Sequence, residues 1–275
     1  PALQILLAED NLVNQKVAHQ MLNNLGYPLA IANNGQEVID ALEKKFYDLI
    51  LMDMQMPVMD GITACRHIRQ TFPPERQPRI VAMTANAMPG DRQECLDAGM
   101  DDYISKPISI SQLRKVLQDT PVLMASPQVG EDTIAPGDNT MTLEEQTMAK
   151  PADMTESPLD PTAIAFLRDE LCSGDLALFG EMVMCYCQES QKLMEELLTG
   201  LQVGDLDAVK RTAHSLKSSS AALGAQQLSS FCQQLEKDAG SGNLGLGSPT
   251  QLVDHCRQLH IAVVEALTPF TISSP

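Results

Sequence analysis

The sequence predicts an α/β doubly wound domain with a five-stranded parallel sheet, followed by an all-α helical bundle. Two observations carry this prediction. Over residues 1–120, short apolar runs alternate five times with amphipathic stretches, the strand–helix rhythm of a parallel sheet. Over residues 159–275, apolar side chains recur at three and four, and no convincing strand pattern interrupts them.

The predicted strands are Gln4–Ala8, Leu29–Ala32, Asp48–Met52, Arg79–Met83 and Asp101–Ser105. Runs such as Leu49-Ile50-Leu51-Met52 do not alternate apolar with polar, as expected for strands covered on both faces. The first helix shows its own period: Val13, Val17, Met21 and Leu25 are spaced by four, and Gly26 closes the pattern. In the second region, Asp160-Pro161 and Asp175 have the form of helix starts, an acceptor side chain followed in the first case by Pro at N1. Helices are predicted over 160–171, 175–199, 205–222, 225–239 and 249–267. Gly200, Gly204, Gly224 and the glycine-rich stretch 240–247 punctuate them, and a small antiparallel bundle follows. Between the two regions, residues 121–158 hold Lys150 against seven acids, with Pro121, Pro127, Pro136, Pro151 and Pro158 among Ser, Thr, Gly and Met. This stretch is predicted to be a flexible acidic linker with at most a helical turn near 142–148. The predicted divisions are therefore 1–120, 121–158 and 159–270.

Composition narrows the function. Apolar residues make up 44%, which excludes wholesale disorder, and the net charge of −17 argues against nucleic acid as a direct ligand. The seven cysteines are scattered, and the closest pair, Cys185 and Cys187, is not a CxxC motif. That pattern predicts reduced thiols in a cytoplasmic protein rather than a disulfide framework or a zinc site. No apolar run reaches the roughly 18 residues of a membrane span and no signal peptide opens the chain, so no direct membrane contact is expected. The chain begins at Pro1 rather than Met, almost at the start of a strand, as a segment of something longer would.

Chemistry gathers at the ends of the strands. Glu9 and Asp10 follow the first, Asp53 ends the third, Thr84 follows the fourth and Lys106 the fifth. In an open parallel sheet, ligands bind beyond the carboxyl ends of the strands. Three carboxylates and one ammonium on a single rim are unfavourable without a further cation, and an all-oxygen set suits Mg²⁺. Such an ion would let a phosphoryl group approach a carboxylate without net repulsion. Any one acid after a strand is ordinarily a cap or a solvated loop residue, but five suitable types at successive strand ends are hard to dismiss.

The residues that carry a family resemblance lie in the same places. Ala8-Glu9-Asp10-Asn11 is followed by Met52-Asp53-Met54-Gln55-Met56-Pro57-Val58-Met59-Asp60-Gly61, then Met83-Thr84-Ala85-Asn86-Ala87 and Asp102-Tyr103-Ile104-Ser105-Lys106-Pro107. In order and spacing these resemble a two-component receiver domain, which has the flavodoxin-like fold. The resemblance implies that Asp53 is a phosphoacceptor nucleophile and that Glu9, Asp10, Asp53 and the backbone carbonyl of Gln55 hold Mg²⁺. It further implies that Thr84 and Lys106 bind phosphoryl oxygens, that Lys106-Pro107 is cis, and that Thr84 and Tyr103 form a switch pair. Gln55 and Asn86 would then tune the lifetime of the aspartyl phosphate. The chemistry suits these types, because a loose phosphoryl-transfer transition state is catalysed mostly by positioning and by cations.

Five histidines are present, and His19, His67, His255 and His260 lie in ordinary amphipathic contexts. His214 differs. The stripe Leu206, Val209, Ala213, Leu216, Ser220 and Leu223 marks the buried face of its helix, and His214 lies roughly 130° from the centre of that stripe. A solvent-accessible imidazole is therefore expected, with Lys210 and Lys217 one turn to either side to attract a phosphoryl group. Small Ser218, Ala221 and Ala222 would let a partner approach closely. A helical His beside a Lys is more often surface decoration. The full string, however, resembles a histidine phosphotransfer (HPt) domain: His214, Lys217 and Leu223-Gly224 match the pattern, while Ser218 stands where glycine is usual.

A receiver followed by an HPt domain resembles the C-terminal part of a hybrid sensor histidine kinase, at the cytoplasmic end of a membrane-anchored protein. This implies a phosphorelay: a kinase phosphohistidine donates to Asp53, and the group moves between Asp53 and His214. From His214 it would pass to a downstream response regulator, or drain back through Asp53. His214 and Lys217 would be the working residues of the second domain. A flexible linker of this length spans about 35 Å, so the two sites would meet within one chain at an effective concentration of roughly millimolar. No nucleotide-binding signature of a kinase core is visible, so autophosphorylation from ATP is not expected of this stretch. Two rival classes stay open on sequence alone. One is a metal-dependent phosphatase built on the Asp53 cluster, and the other is an interaction scaffold that has lost its chemistry.

Overall fold

A computed structural model describes residues 3–84, 89–122, 157–242, 244 and 249–271. The expected helical turn near 142–148, most of the expected linker, Asn86 and half of the 240–247 stretch lie outside the described residues.

The N-terminal unit is a parallel sheet in the order β2-β1-β3-β4-β5. Its strands are β1 (Ile5–Ala8), β2 (Leu29–Ala32), β3 (Leu49–Asp53), β4 (Arg79–Thr84) and β5 (Asp102–Ser105). The helices between them are α1 (Leu12–Asn24), α2 (Gly35–Lys44), α3 (Gly61–Thr71), α4 (Pro89–Asp97) and α5 (Ile110–Gln118). Both faces of the sheet are buried, as its unbroken apolar strands required. Ile5, Leu7, Leu49, Leu51, Val81 and Met83 pack on the α1/α5 side, and Leu6, Ala8, Ile50, Met52, Ile80 and Ala82 on the other. Each strand end lies within a residue or so of its expected position. Register places Asp53 opposite Met83 and Ala8 opposite Met52, so the residues after these strands converge on one rim.

Helix starts are set by short polar acceptors. Asn11 accepts from the backbone of Val13 and Asn14 to open α1, Asp60 accepts from Thr63 to open α3, and Ser109 with Gln112 closes a capping box on α5. The first element of the bundle is α6 (Pro161–Ala165), capped by Asp160, which runs on as a π-helical turn over Phe166–Leu171. It is followed by α7 (Leu176–Val203), α8 (Leu206–Ala222), α9 (Gln226–Gly240) and α10 (Pro249–Thr271). Gly204, at φ +73°, ends α7, and Asp205 caps α8 immediately after it. Connections this short make neighbouring helices antiparallel. The expected stripe of α8 is the buried one: Val209, Ala213, Leu216, Ser220 and Leu223 have no exposure. Ser220 can occupy that stripe because the Tyr186 hydroxyl, also fully buried, shares a 3.0 Å hydrogen bond with it.

The two units are docked. The α1 helix lies along α7 and α8, and one apolar cluster runs from the α1/α5 side of the sheet into the bundle. Polar contacts fasten both ends of α1. Asn24 Nδ2 and Gln20 Nε2 donate to the Leu171 carbonyl at 2.7 and 3.4 Å, satisfying the end of the π-helical turn. At the other end, Asn11 Nδ2 donates to the Ser215 carbonyl at 3.3 Å, beside His214. No two of the seven cysteines form a disulfide, and among the described residues no helix is long and apolar enough to cross a membrane.

Candidate functional site

Past the carboxyl ends of β1 and β3, Glu9, Asp10 and Asp53 each offer an oxygen, and these oxygens lie within 4.8 Å of one another. Glu9 and Asp53 are buried and Asp10 is half-buried. The loop after β5, with Lys106-Pro107 cis, brings in the balancing cation. Lys106 Nζ donates to Glu9 Oε2 at 2.7 Å and to Asp53 Oδ2 at 2.6 Å. One ammonium among three carboxylates leaves the cluster short of positive charge. Burial, with Asp53 beside it, raises the Glu9 pKa to about 7 despite Lys106, and burial likewise raises that of Asp10. Burial works against the charge of Lys106, but the carboxylates of Asp53 and Glu9 outweigh it and hold the ammonium above its ordinary range. A hard divalent cation suits this donor set, because close oxygens of excess negative charge are what such ions bind.

The other expected members of the pocket are near. Thr84 ends β4, is buried, and lines the same cleft as Asp53. Gln55 donates its backbone N–H to Asp53 Oδ1 at 3.3 Å, and its side chain is exposed at the rim. Tyr103 is half-buried on β5, with the Arg92 guanidinium 5.7 Å from the ring centre.

A cleft of about 1250 Å³ opens beyond this rim, and its opposite wall belongs to the bundle. Asp10, Asp53 and Thr84 line one side, and His214, Lys217 and Glu236 line the other. His214 Nδ1 lies 2.8 Å from Glu236 Oε1, and Lys217 donates to Glu236 Oε2. Burial would push the Glu236 carboxyl up, but hydrogen bonds and charge from His214 and Lys217 prevail and hold its pKa at about 2. An ionised carboxylate only accepts, so Nδ1 carries a proton; in the neutral ring Nε2 is then the nitrogen with the lone pair. Nε2 is buried and has no hydrogen-bond partner among the described residues.

The comparisons with known proteins agree with this geometry. Residues 5–118 match the family described as "Response regulator receiver domain", and residues 181–266 match "Hpt domain". The chain is a receiver domain joined to an Hpt domain. The aerobic respiration control sensor protein ArcB of Escherichia coli K12 is 30% identical over 236 residues, covering 86% of this chain and 28% of that protein. Histidine protein kinase 1 of Candida albicans is 48% identical over 124 residues, covering 42% of this chain and 5% of that protein. The chain thus spans less than a third of the length of these curated relatives. Among solved structures, the magnesium-bound receiver domain of sensor histidine kinase PA1611 from Pseudomonas aeruginosa PAO1 is 46% identical. It covers 43% of this chain and 96% of that chain, with a TM-score of 0.40. The order of domains resembles the C-terminal part of a hybrid histidine kinase.

Glu9, Asp10, Asp53, Thr84 and Lys106 lie together at the receiver rim. On the Hpt domain one expectation needs correction. His214 is not solvent-accessible: it is 7% exposed, because the receiver covers the face that α8 turns away from its own core. Lys217 is also buried and tied to Glu236, whereas Lys210 and Arg211, one turn before the histidine, are exposed cations that line the same cleft. Glu236 was not foreseen. Its signal was present in α9, where Leu228, Cys232, Leu235 and Ala239 form the buried stripe and Glu236 places an acid one turn after Cys232. Of the remaining histidines, His19, His67 and His255 are exposed, and His260 is buried against Ser190.

Proposed function

We propose that Asp53 accepts a phosphoryl group from a kinase phosphohistidine, and that His214 exchanges it with Asp53 before a downstream response regulator receives it. The observation that carries this reading is the shared cleft: an acid pocket with a buried carboxylate faces an imidazole whose Nε2 has no hydrogen-bond partner among the described residues. In the forward step, the Nε2 lone pair attacks phosphorus, an N–P bond forms, and the P–O bond to Asp53 breaks with its electrons returning to the carboxylate. His214 keeps its proton on Nδ1 throughout, and the positive charge that develops on the ring is met by Glu236. Lys217, held by the other oxygen of Glu236, keeps the acid in place and adds a positive charge beside the incoming phosphoryl group.

On the receiver side, Glu9, Asp10, Asp53 and the Gln55 backbone carbonyl would hold Mg²⁺. When bound, this ion supplies neutralising charge for the phosphoryl oxygens. Lys106 already bonds the Asp53 oxygen and is placed to follow one phosphoryl oxygen, with Thr84 taking another. Thr84 and Tyr103 are the pair through which the state of Asp53 would reach the α4–β5 surface. The partners implied are a histidine kinase domain, in the same or a separate chain, and the receiver of a response regulator. No two of the seven cysteines form a disulfide, in keeping with a cytoplasmic setting.

The test is charging with phosphorus-labelled acetyl phosphate and Mg²⁺. Label is expected first as a hydroxylamine-sensitive acyl phosphate and then as an acid-labile, base-stable phosphohistidine. Asp53→Asn should abolish both, and His214→Gln only the second. Undiminished phosphohistidine in Asp53→Asn would overturn the order of transfer.

A further inference from the structure

The contact between Asn14 and Ser218 has a role beyond joining two surfaces. Asn14, in the first turn of α1, uses both hydrogens of its side-chain amide. One goes to Glu9 Oε1 at 2.9 Å, inside the acid pocket, and the other to Ser218 Oγ at 2.8 Å, one helical turn after His214. Ser218 is 7% exposed, so this hydrogen bond lies largely out of water. Asn11 supports it from the preceding turn, donating to the Ser215 carbonyl. A single amide therefore connects the Asp53 pocket to the helix that presents the acceptor imidazole. Glycine at 218, the residue usual in HPt domains, would bring no acceptor to that spot.

We infer that Ser218 is a specificity-determining residue of the Hpt domain, which selects receivers that present a hydrogen-bond donor in the first turn of α1, and that Asn14 is its matched partner within this chain. This rests on the relay reading of Asp53 and His214. A neutral hydrogen bond of this kind contributes about 0.5–1.5 kcal/mol, and each 1.4 kcal/mol is tenfold in affinity. The pair therefore discriminates between receivers by several-fold, through docking rather than through the chemical step. Among the described residues no hydrogen bond joins Ser218 to Asp53 or to the His214 ring nitrogens, which makes it a positioning residue and not a catalytic one.

The test uses two full-length chains. A His214→Gln/Ser218→Ala chain, charged at Asp53 with acetyl phosphate and Mg²⁺, donates in trans to an Asp53→Asn/Asn14→Ala chain with His214 intact, so that neither chain can form the Asn14–Ser218 pair within itself. Transfer is followed against acceptor concentration, giving a half-saturating concentration and a limiting rate. Ser218→Ala in the acceptor, a substitution well tolerated in a helix, is expected to raise the half-saturating concentration about fivefold with the limiting rate little changed. Asn14→Ala in the donor should do the same, and the two together should be no worse than either alone. The loss of the Glu9 contact in Asn14→Ala is monitored by acetyl phosphate charging of the donor, whereas Ser218→Ala should leave charging of an intact Asp53 unchanged. Effects that multiply, or a Ser218→Ala acceptor that behaves as its parent, would overturn the pairing while leaving the relay standing. No transfer between the parent chains would overturn the relay and the pairing together.

Discussion

Glu236 binds His214 Nδ1 at 2.8 Å with one carboxylate oxygen and the Lys217 ammonium with the other, so α9 fixes both side chains that α8 brings to the cleft. The acid sets the tautomer and the ring plane, and it leaves Nε2 as the free lone pair.

Glu236→Gln should keep an acceptor for Nδ1–H but lose the charge that stabilises the ring as it is phosphorylated. A charge-assisted hydrogen bond contributes roughly 1.5–3 kcal/mol, so transfer from Asp53 to His214 should slow by about tenfold or more, and further still in Glu236→Ala. Single-turnover transfer measures this. Acetyl phosphate charging of Asp53, which does not involve Glu236, should be unaffected.

Among the described residues, Lys106 is the one cation bonded to two buried carboxylates of the pocket. Lys106→Met would leave Glu9 and Asp53 facing each other without it, and partial protonation of Glu9 would relieve only part of the repulsion. The variant should be less stable by about 2 kcal/mol in metal-free urea unfolding. Because Mg²⁺ would then be the sole counter-charge, it should raise the unfolding midpoint more in Lys106→Met than in the parent. Equal Mg²⁺ responses in the two proteins would separate Lys106 from the metal-binding acids.

Gly61 opens α3 directly against the end of β3, the strand that carries the phosphoacceptor candidate. A β-carbon there would lie 2.2 Å from the Asp53 carbonyl oxygen and 2.9 Å from Met52 Cγ. Backbone cannot yield as a flexible side-chain tip does, so Gly61→Ala must push α3 or the Asp53 peptide aside. Overpacking of this sort costs about 1–3 kcal/mol. The displacement falls on Asp53 itself, so acetyl phosphate labelling should drop more than in a core variant of equal instability. A convenient comparator is Ile68→Val, whose side chain is fully buried on the same helix.

The receiver half of the site was legible because its placement is local. Apolar runs fix where β1, β3, β4 and β5 stop, and a doubly wound sheet then sets Glu9, Asp53, Thr84 and Lys106 on one rim whatever the loops do. The Hpt half was legible only up to the surface of its own helix. The period of α8 correctly turned His214 away from Val209, Ala213 and Leu216, but a helical period reports one helix's core and not what docks on its other side. Covering of the ring by the receiver, the Asn14–Ser218 contact and the reach of Glu236 from α9 all depend on the rotation and offset of elements distant in sequence. No single-helix pattern encodes those quantities.

His260 offers a pH test of the bundle that is independent of the relay chemistry. It is 5% exposed on α10, and its Nε2 lies 2.9 Å from Ser190 Oγ on α7. Burial penalises the imidazolium and lowers its pKa below the ordinary histidine value. The sign follows from proton counting. Above the unfolded-state pKa the ring is neutral in both states and contributes no pH dependence. As pH falls below that value, the unfolded chain binds a proton that the folded bundle refuses, so stability declines. The decline stops once the pH passes the lowered folded-state pKa, and its slope cannot exceed about 1.4 kcal/mol per pH unit for one proton. Unfolding midpoints at pH 7.5 and 5.5 should therefore fall more in the parent than in His260→Gln, since the carboxylate titrations are common to both. A parent whose midpoint falls no further than that of His260→Gln would mean that the ring is protonated as readily in the bundle as in the unfolded chain, and that Ser190 and the surrounding core do not hold it neutral.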